Sequence, residues 1–500
     1  MGGNILGLTT SGQDRKQYRD KMQRCLDAMA RMLREDTFSF DRQQIGLEIE
    51  LNLVDQQMSP AMANAVVLEK INHANFKKEL SQHNLELNVP PRPLAGDGAL
   101  DLERELRLSI DEADAKAGDA GAALVLIGTL PTLRASHFNR QWISASTRYE
   151  MLNDKILAAR GEDLLLDMEG SPMPGGDGPE RLLAFVETIL AEAACTSVQL
   201  HLQVVPDEFA AHWNAAQALA GVQVALAANS PFLLGRALWH ETRIPLFQQA
   251  TDTRPLELRN QGVRPRVWFG ERWITSIFDL FEENALYFPA LLPEICDEDP
   301  LAELDAGRTP ALSELQLHNG TVWRWNRPVY DVVDGVPHLR VENRVLPSGP
   351  TVIDMLANAA FFYGAMRALT EQERPLWSKM SFHAAEENLY AGARHGMDAQ
   401  LYWPGVGWVR PDELVLRLLL PLAHEGLRSG GVSDAARERL LGVLEQRCVA
   451  RRTGSSWQRE TVAALERRGL GRDAALHGML RHYRENMLSG EPVHTWPAAM

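Results

Sequence analysis

Four short stretches of the chain alternate between aliphatic and polar residues, which is typical of strands with one buried face. In the first, residues 45–51, the aliphatic side chains share one face and Glu48 and Glu50 share the other. Because a strand rises roughly 3.3 Å per residue, these two carboxylates lie about 7 Å apart. Like charges held this close repel unless a cation lies beside them, and Mg²⁺ prefers such oxygen ligands. The alternative is an edge strand with a solvated acidic face.

The other three stretches, residues 85–89, 198–204 and 339–345, repeat the pattern, and only Asn343 interrupts an apolar face. Antiparallel sheets show this pattern when one face packs on helices and the other meets water. We hypothesise that the four strands lie side by side in one sheet. Their acidic, histidine and arginine side chains would then share one solvated face, which favours a site for metal and phosphate. The polar residues of these stretches are Glu86, Asn88, Gln199, His201, Gln203, Arg340, Glu342 and Arg344.

The rest of the pattern predicts further strands and a largely helical carboxyl-terminal part. A turn at Asp334-Gly335 joins the last two strands in a hairpin, and the fully apolar residues 122–128 are expected at the centre of the sheet. Strands are predicted over residues 45–54, 84–89, 122–128, 197–205, 318–327 and 338–345. Helices are predicted over residues 14–35, 64–80, 99–117, 180–194, 213–228, 351–369, 382–392, 412–427, 433–450, 456–468 and 472–488.

Three further segments attract attention by composition. Residues 236–273 are rich in arginine and tryptophan, and guanidinium groups match carboxylates and phosphates, so this segment is a candidate for anion binding. Pairing of these arginines with the many glutamates is the alternative. Residues 137–158 combine aromatic and polar side chains, which makes them a candidate substrate-side loop and helix, with helix packing as the alternative. Residues 171–179 are predicted to form a flexible loop or a lid.

Composition narrows the class of protein. The chain has 500 residues, 45% of them hydrophobic and 23% charged, as in an ordinary soluble protein. Its formal net charge of -15 argues against nucleic acid as the main partner. Four widely spaced cysteines without a CxxC pair indicate a reducing, cytoplasmic setting. We find no apolar run long enough for a membrane helix and no signal-peptide pattern. A myristoylation motif would start at Gly2 and require Ser or Thr at position 6, where this chain has Leu6, so we predict no myristoylation.

Five stretches, in order, resemble motifs of the glutamate–cysteine ligase superfamily, in the bacterial branch that includes the YbdK-like carboxylate–amine ligases. Their order and rough spacing hold from about residue 40 to about residue 370. The stretches are residues 46–50 (G-x-E-x-E in the family), 198–204 (H-V-H-V-G), 227–232 (A-x-x-N-S-P-F), 325–328 (W-D-x-R-P) and 342–344 (E-x-R).

This resemblance implies an α+β chain with a glutamine-synthetase-like catalytic fold, in which a curved antiparallel sheet backed by helices holds ATP and Mg²⁺. We expect a catalytic domain over residues 1–375 and a helical region over residues 376–500. The implied reaction transfers the γ-phosphoryl group of ATP to the side-chain carboxylate of glutamate, and an amine then attacks the acyl phosphate to give an amide. The implied setting is glutathione biosynthesis in the cytoplasm, with small-molecule substrates and no membrane or nucleic-acid partner.

The resemblance also assigns roles to particular residues. Arg344 matches the arginine near the transferred phosphoryl group, and Arg327 is a candidate for binding nucleotide or phosphate. Arg243 is a weaker candidate for the substrate carboxylate, and Gln199 and Asn229 are further candidates for substrate binding. The implied metal ligands are Glu48, Glu50, Glu86, His201 and Glu342.

Two departures from the family pattern bear on these roles. Gln199 stands where the family has the first histidine of its strand, and Asn326 stands where it has aspartate, with one residue fewer before Pro328. The first change affects how many metal ions the site holds. His201 remains a candidate for binding metal or pairing with a phosphate, and an ordinary hydrogen-bonded strand histidine is the alternative.

Two other functions remain open at this stage. The same framework can serve a phosphotransferase that phosphorylates a carboxylate or guanidino group and stops there. A binding or regulatory protein that has lost catalysis is the second alternative, although five retained charged residues argue against it. Neither the amine acceptor nor the oligomeric state can be read from the sequence.

Overall fold

The structure is a computed structural model that describes residues 12–38, 40, 43–176 and 178–497. The predictions for the amino terminus, residues 1–11, therefore lie outside the described residues. None of the helices within these ranges is long and apolar enough to cross a membrane. Cys25, Cys195, Cys296 and Cys448 are all free thiols.

The strands are mostly short, apart from those that carry the alternating pattern. Their bounds are β1 (Ile45–Val54), β2 (Phe76–Lys78), β3 (Asn84–Arg92), β4 (Ala123–Val125), β5 (Leu164–Glu169), β6 (Arg181–Val186), β7 (Ser197–Gln203), β8 (Phe232–Leu233), β9 (Arg236–Ala237), β10 (Val267–Trp268), β11 (Trp323–Arg324), β12 (Asn326–Val333), β13 (Val336–Pro347), β14 (Leu401–Trp403) and β15 (Gly407–Val409).

Helices make up much of the remainder. Their bounds are α1 (Gly12–Arg34), α2 (Asn64–Ile71), α3 (Gly98–Gly118), α4 (Thr147–Arg160), α5 (Leu190–Ala193), α6 (Pro206–Ala227), α7 (Arg243–Ala250), α8 (Leu256–Asn260), α9 (Ile277–Tyr287), α10 (Pro300–Asp305), α11 (Ser313–Asn319), α12 (Val352–Thr370), α13 (Phe382–His395), α14 (Pro411–Leu414), α15 (Leu420–Ser429), α16 (Asp434–Ala450), α17 (Gly454–Arg467) and α18 (Arg472–Ser489). A π-helical turn over Val415–Leu419 joins α14 to α15.

Within the described part of the chain, seven strands form one antiparallel sheet in the order β12-β13-β7-β1-β3-β2, with β4 pairing to the end of β1. Register shifts interrupt the pairing of β1 with β3 and of β13 with β7, and such bulges bend the strands that carry them. The predicted fold class, a curved antiparallel sheet backed by helices in an α+β chain, is confirmed.

The register explains why the four polar faces meet. Glu48 lies opposite Gln199 on one side and Asn88 on the other, and Glu50 lies opposite Glu86. On the next strand pair, Glu342 lies opposite His201. Directly opposite residues point to the same face of a sheet, so the alternating pattern places all of these side chains on one surface.

The other face of the sheet packs on two buried helices, α6 and α12. Both are apolar around most of their circumference, as expected of helices enclosed on all sides. Pro206 begins α6, and the Thr351 side chain accepts a hydrogen bond from the Asp354 backbone at the start of α12.

A cluster of side-chain amides lies within this apolar layer. It explains Asn343, which interrupts an apolar strand face, and Asn326, which stands where the family has aspartate. The Asn343 side chain donates to Asn326 at 2.7 Å and to Gln223 at 3.2 Å, and the Asn326 side chain donates to Gln217 at 2.7 Å. All of these residues are buried. An aspartate at position 326 would place an unpaired charge among neutral amides, which is costly.

The carboxyl-terminal helices pack directly on the helices behind the sheet. Helix α13 packs on α6, and α15 and α16 pack on α12. The buried Arg447 of α16 reaches Asp354 of α12 at 2.8 Å and also donates to the Asn358 side chain at 2.5 Å. The division of the chain at residue 375 stays a prediction.

Some predicted elements were wrong. The helix predicted over 64–80 ends at Ile71 and is followed by β2, and the helix predicted over 180–194 is replaced by β6 and the short α5. The strand predicted over 318–327 begins inside α11, so His318 is helical. The apolar stretch 122–128 forms only three residues of strand and pairs with β1 alone, so it is not central. The β14–β15 hairpin was not predicted.

Strand β3 also continues through Pro90 and Pro91 to Arg92, past its predicted end at residue 89. These prolines lie at the register shift between Ile45 and Leu47 of β1. A bulge leaves residues outside the regular ladder, so the missing N–H groups of the prolines cost no ladder hydrogen bond there.

Candidate active site

The polar face of the sheet brings together most of the predicted site residues. Four neighbouring strands and the start of β12 contribute them, in an arrangement set by the register described above. The assembled residues are Glu48, Glu50, Glu86, Gln199, His201, Arg327, Glu342 and Arg344.

One half of this face is a paired, charged network centred on Glu342. Arg327 binds both carboxylate oxygens of Glu342, at 2.8 and 2.9 Å from Nη2, and Arg344 Nη1 donates to the same carboxylate at 2.5 Å. Burial of Glu342 favours the protonated acid, but the two guanidinium groups outweigh burial and hold its pKa well below the usual range. Glu342 therefore stays ionised and fixes the orientation of both arginines.

Gln199 connects this network to the other half of the face. Its side-chain oxygen accepts a hydrogen bond from Arg344, and its Nε2 donates to Glu50 Oε1 at 3.2 Å. The Ser197 backbone N–H donates to the other Glu50 oxygen at 2.6 Å. A neutral amide orients its neighbours without neutralising them, so Gln199 adds no positive charge beside Glu50.

The second half of the face holds carboxyl groups with few cationic partners. Burial, with Glu48 and Glu50 nearby, raises the pKa of Glu86 to about 8. Burial also raises the pKa of Glu50, although Arg344 opposes this shift. Two further acids adjoin them: the pKa of Glu79 is raised well above its usual value by burial and then by Glu86, and burial and Glu50 raise the pKa of Glu192 to about 7.

These acids border a small cleft at the edge of the polar face. Glu50, Glu79 and Glu192 line it, together with Asn84, Cys195 and Thr196. A group of partly buried carboxyls that raise one another's pKa values is a good environment for a divalent cation, which would neutralise them.

The carboxylate groups of this cleft therefore suit Mg²⁺ by the chemical type of their ligand atoms. Carboxylate oxygens are the ligands that Mg²⁺ prefers, and Glu50, Glu79 and Glu86 supply them. Among the residues that the structure describes, however, no group of three or more His, Cys, Asp or Glu side chains is already arranged to hold a metal ion. A magnesium site here stays a prediction.

The raised pKa values predict how stability depends on pH. In the folded protein Glu86 keeps its proton until a pKa of about 8 and Glu192 until about 7, whereas both ionise near 4.5 in the unfolded chain. The folded state thus binds more protons between these values, so stability present below pH of about 4.5 is lost as pH rises through 7 and 8. We expect the melting temperature of the metal-free protein to fall by several degrees over this range.

A matched experiment checks this expectation by thermal unfolding at stepwise pH. Excess Mg²⁺ should restore most of the lost stability at high pH, because binding to the folded state alone is stabilising. The Glu86→Gln variant should show a flatter dependence on pH than the unchanged protein. Equal pH dependence in both proteins would show that Glu86 does not carry the effect.

His201 lies between the two halves of the face. Its ring is buried, and Nε2 lies 3.3 Å from Glu48 Oε1. The Tyr363 hydroxyl, on α12, donates to the His201 backbone carbonyl at 3.1 Å and so fixes the strand behind the ring.

Two predicted substrate-binding residues lie in buried positions with protein partners. Arg243 Nη1 is 3.2 Å from Glu241 and donates to the Val345 carbonyl at 3.3 Å. The Asn229 amide donates to the Ser348 carbonyl at 2.7 Å and to the Tyr483 hydroxyl at 2.8 Å. These contacts support structural roles, and substrate binding by Arg243 and Asn229 stays a prediction.

Several arginines of segment 236–273 pair with acidic side chains, which was the alternative to anion binding. Arg254 pairs with Asp252 at 2.8 Å, Arg259 with Glu162 at 3.4 Å, and Arg264 with Glu271 at 2.8 Å.

Segment 137–158 contributes one residue near the acidic cleft. The Tyr149 hydroxyl donates to the Lys78 carbonyl at 3.2 Å, and its pKa is raised by burial and then by Glu79 and Glu86. This tyrosine therefore lies close to the carboxyl groups at the edge of the sheet.

Sequence reasoning missed Glu79 and Glu192. Glu79 was hidden because residues 64–80 were taken as one helix, whereas it follows the short strand β2. Glu192 lay within the other incorrect helix, although it is the only charged residue between Ile189 and Cys195. An isolated acid in such an apolar stretch was the available signal, since acids are almost never buried without a partner or a function.

A second, small pocket lies beside the arginine end of the face. Arg327 lines it together with Phe281, Asn319 and Tyr330. Arg327 thus borders both this partly aromatic cavity and the charged network around Glu342.

Comparison with known proteins gives a family and a fold. No curated protein matches the chain. A glutamate–cysteine ligase from Francisella tularensis, solved in complex with AMP, has a TM-score of 0.53 and 13% sequence identity, over 92% of this chain and 91% of that one. A bifunctional glutathione synthetase from Pasteurella multocida has a TM-score of 0.47 and 11% identity, over 93% of this chain and 56% of that one.

At such low identity the first of these structures supports the fold alone. The family assignment rests on a sequence profile, that of glutamate–cysteine ligase family 2, which matches residues 44–482. This range contains the whole polar face and most of the carboxyl-terminal helices. The chain therefore belongs to glutamate–cysteine ligase family 2.

Proposed function

We propose that this protein is an ATP-dependent carboxylate–amine ligase that activates the side-chain carboxylate of glutamate for attack by an amine. Family membership supports the general class, an ATP-dependent ligase. The single observation that carries the proposal is the polar sheet face, where two arginines held by Glu342 adjoin a group of carboxyls with raised pKa values. Cysteine is one candidate amine, and others are open.

The chemistry requires such an arrangement. A carboxylate oxygen of the substrate attacks the γ-phosphorus of ATP, the bond to the β-phosphate oxygen breaks, and ADP leaves. The amine nitrogen then attacks the carbonyl carbon, inorganic phosphate leaves, and the amine loses a proton. The first step brings several anions together, so positive groups must stabilise the charge that develops.

We assign different parts of this phosphoryl transfer to different residues. Arg344 and Arg327 would orient and stabilise the transferred phosphoryl group, since Glu342 holds both guanidinium groups in place. Glu50, Glu79 and Glu86 would hold Mg²⁺, which when bound neutralises phosphate oxygens. A cytoplasmic location and a role in glutathione biosynthesis stay predictions.

An ADP-release assay tests the proposal. Purified protein is incubated with ATP, Mg²⁺ and L-glutamate against a panel of amines that includes cysteine. We expect ADP release that requires both glutamate and an amine, and at least about a hundredfold loss in Glu50→Gln, because that variant removes a carboxylate from the acidic half of the site. Glu425→Gln, which alters an exposed pair with Arg428, is the control.

The outcomes separate the competing functions. Release of ADP without an amine would favour a phosphotransferase. Turnover with an amine other than cysteine would keep the mechanism and change the substrate. Absence of nucleotide binding and of turnover with every acceptor would contradict the proposal and favour a non-catalytic protein.

A further inference from the structure

Strands β5 and β6 form a two-stranded ribbon outside the main sheet, with one face on the protein and the other in solvent. On the inner face, the alternate residues of both strands are mostly buried. On the outer face, Leu165 is 39% exposed, Leu183 is 63% exposed and Phe185 is 70% exposed. Leu165 lies directly opposite Phe185. The ribbon therefore presents adjoining apolar side chains to solvent, where a half-buried ribbon ordinarily carries polar ones.

The hydrogen bonds of the ribbon show which backbone groups face outward from each strand. The Asp167 N–H donates to Gln249 Oε1 at 2.9 Å, and the Asp167 carbonyl accepts from Gln249 Nε2 at 3.0 Å. Both backbone groups of Asp167 therefore point away from β6, so Asp167 and Leu183, which lie opposite each other, exchange no hydrogen bonds. Leu165 and Phe185, two residues along, form a pair of the same kind. The backbone N–H and C=O groups of Leu183 and Phe185 thus point away from β5.

The two outer edges of the ribbon differ in how they are covered. Side chains cover the edge of β5, since Gln249 binds it as described and Trp239 Nε1 donates to the Glu169 carbonyl at 2.9 Å. On the edge of β6, the outward backbone groups of Leu183 and Phe185 have no hydrogen-bond partner within the part of the chain that the structure describes. Strand β6 thus has an open edge, which is a template for pairing with another strand.

This edge lacks the residues that protect the edges of the main sheet. Lysine, proline and charge are the usual means of preventing a strand edge from pairing. The outer strand β2 carries Lys77 and Lys78, both exposed, and the outer strand β12 carries Pro328. Between Leu182 and Val186, by contrast, β6 has neither a charged residue nor a proline. An apolar edge left unprotected in this way indicates a surface that a partner covers.

We propose that β6 pairs antiparallel with β6 of a second copy of this chain, about a two-fold axis at Ala184, and so forms a symmetric dimer. The result is one continuous sheet across the two copies, in the order β5-β6-β6-β5. Leu183 then lies opposite Phe185 of the second copy, and their outward N–H and C=O groups form hydrogen bonds in both directions. The two-fold axis repeats this pair, as a self-complementary interface requires.

The charges at the two ends of β6 favour a second copy as the partner and select this register. A pairing centred on Ala184 places Arg181 opposite Glu187 of the second copy, and both positions are exposed. Arg181 binds Asp167 through Nε and Nη2, at 2.7 and 2.6 Å, and its guanidinium group has further donors for the glutamate. An axis at Leu183 would instead place Arg181 opposite an apolar residue. A strand that is basic at one end and acidic at the other complements itself when antiparallel.

The same register joins the exposed apolar side chains into one row across the dimer. Leu165 and Phe185 of one copy are followed by Leu183 of the other, and cross-strand pairs of aromatic and aliphatic residues stabilise a sheet. A single pair of strands buries less than the roughly 1,600 Å² of a standard interface, so we expect a dimer that dissociates at micromolar concentrations. The dimer rests on no assumption about the reaction.

Sedimentation velocity of the full chain over a range of micromolar concentrations tests the dimer. We expect monomers at the low end and dimers at the high end, whereas monomers throughout would overturn the proposal. Phe185→Lys places a charge on the open edge and should raise the dissociation constant at least about tenfold. Val336→Lys is the matched control, since Val336 is also an exposed strand residue, 54% exposed, but lies on β13. A dimer equally stable in Phe185→Lys and Val336→Lys would place the interface elsewhere and overturn the proposal.

A pair of variants at Leu183 separates backbone pairing from apolar contact. Leu183→Pro removes an outward N–H that makes no bond inside the ribbon, whereas Leu183→Ala shortens the side chain and keeps this N–H. Because the two-fold axis doubles the loss, we expect a dissociation constant about tenfold higher in Leu183→Pro than in Leu183→Ala. Circular dichroism of both variants checks that the monomer is folded. Equal dissociation constants in two folded variants would overturn strand pairing at this edge.

A charge exchange tests the register. At low ionic strength, Glu187→Arg and Arg181→Glu should each weaken the dimer, because each places like charges opposite one another. The double variant restores opposite charges, so we expect it to dimerise about fivefold more tightly than either single variant. A double variant that dimerises no more tightly than the single variants would overturn the register centred on Ala184.

Discussion

Replacing Arg344 by methionine is expected to reduce ADP release about a thousandfold, which is the scale found for an arginine that stabilises a transferred phosphoryl group. Arg344 donates to both Glu342 and Gln199, so it lies where the two halves of the polar face meet. Methionine keeps much of the apolar length of the side chain and removes the charge and the donors. Steady-state rates at saturating ATP, glutamate and amine measure the effect.

Two controls make this prediction specific. Arg344→Lys should retain part of the activity, because an ammonium group keeps the charge but lacks the planar pair of donors. Arg428→Met removes an arginine from an exposed pair with Glu425 and should leave the rate unchanged. A loss of less than about tenfold in Arg344→Met would contradict a role at the phosphoryl group.

The largest expected effect on stability comes from Arg447→Met. Arg447 and Asp354 form a buried ion pair, and their side chains are 2% and 0% exposed. Removing one partner leaves an uncompensated buried charge, which costs about 3–5 kcal/mol. The same change also removes hydrogen bonds to the Asn358 side chain and the Leu226 carbonyl, so α16 loses these polar contacts with α12 and α6.

Chemical denaturation followed by circular dichroism measures this loss. Arg428→Met is again the matched control, with an expected change within about 1 kcal/mol because its pair is exposed. We expect a single transition in the unchanged protein, since buried contacts join the carboxyl-terminal helices to the helices behind the sheet. A separate early transition of the carboxyl-terminal helices, or a cost below about 1 kcal/mol in Arg447→Met, would contradict this account.

The central part of the fold could be predicted because its signal is local. The bounds of β1 were predicted without error, and the same alternation identified β3, β7 and β13. Each strand has one face against helices and one polar face, so the period of two survives in the sequence. The polar faces were expected to converge, and the register confirms that they do.

The elements that were missed lack a clear periodic pattern of hydrophobic and polar residues. Strand β2 has three residues and β6 has six, and both lie in stretches whose residues also suit a helix. Missing β2 hid Glu79, which directly follows that strand, and the incorrect helix over residues 180–194 hid Glu192, which lies in α5 after β6. Short elements take their conformation from tertiary partners, which a single sequence does not display.

The role of a polar residue could be predicted only where its partners also lie on the strands with alternating hydrophobic and polar residues. Glu342, Arg327 and Arg344 share two adjacent strands, so their pairing follows from register. The partners of Asn229, by contrast, include Tyr483, far away in sequence on α18. Arg340 stood in the pattern from the start, but its hydrogen bond to His201 depends on distances that only the structure supplies.

Transfer of ¹⁸O from the substrate carboxylate tests the central claim most directly. Glutamate labelled with ¹⁸O in its side-chain carboxylate is incubated with protein, ATP, Mg²⁺ and the amine that supports ADP release. Activation as an acyl phosphate predicts one ¹⁸O atom in each inorganic phosphate formed and the other in the amide product. Label in AMP, or unlabelled phosphate beside a doubly labelled carboxylate, would contradict a ligase that works through an acyl phosphate.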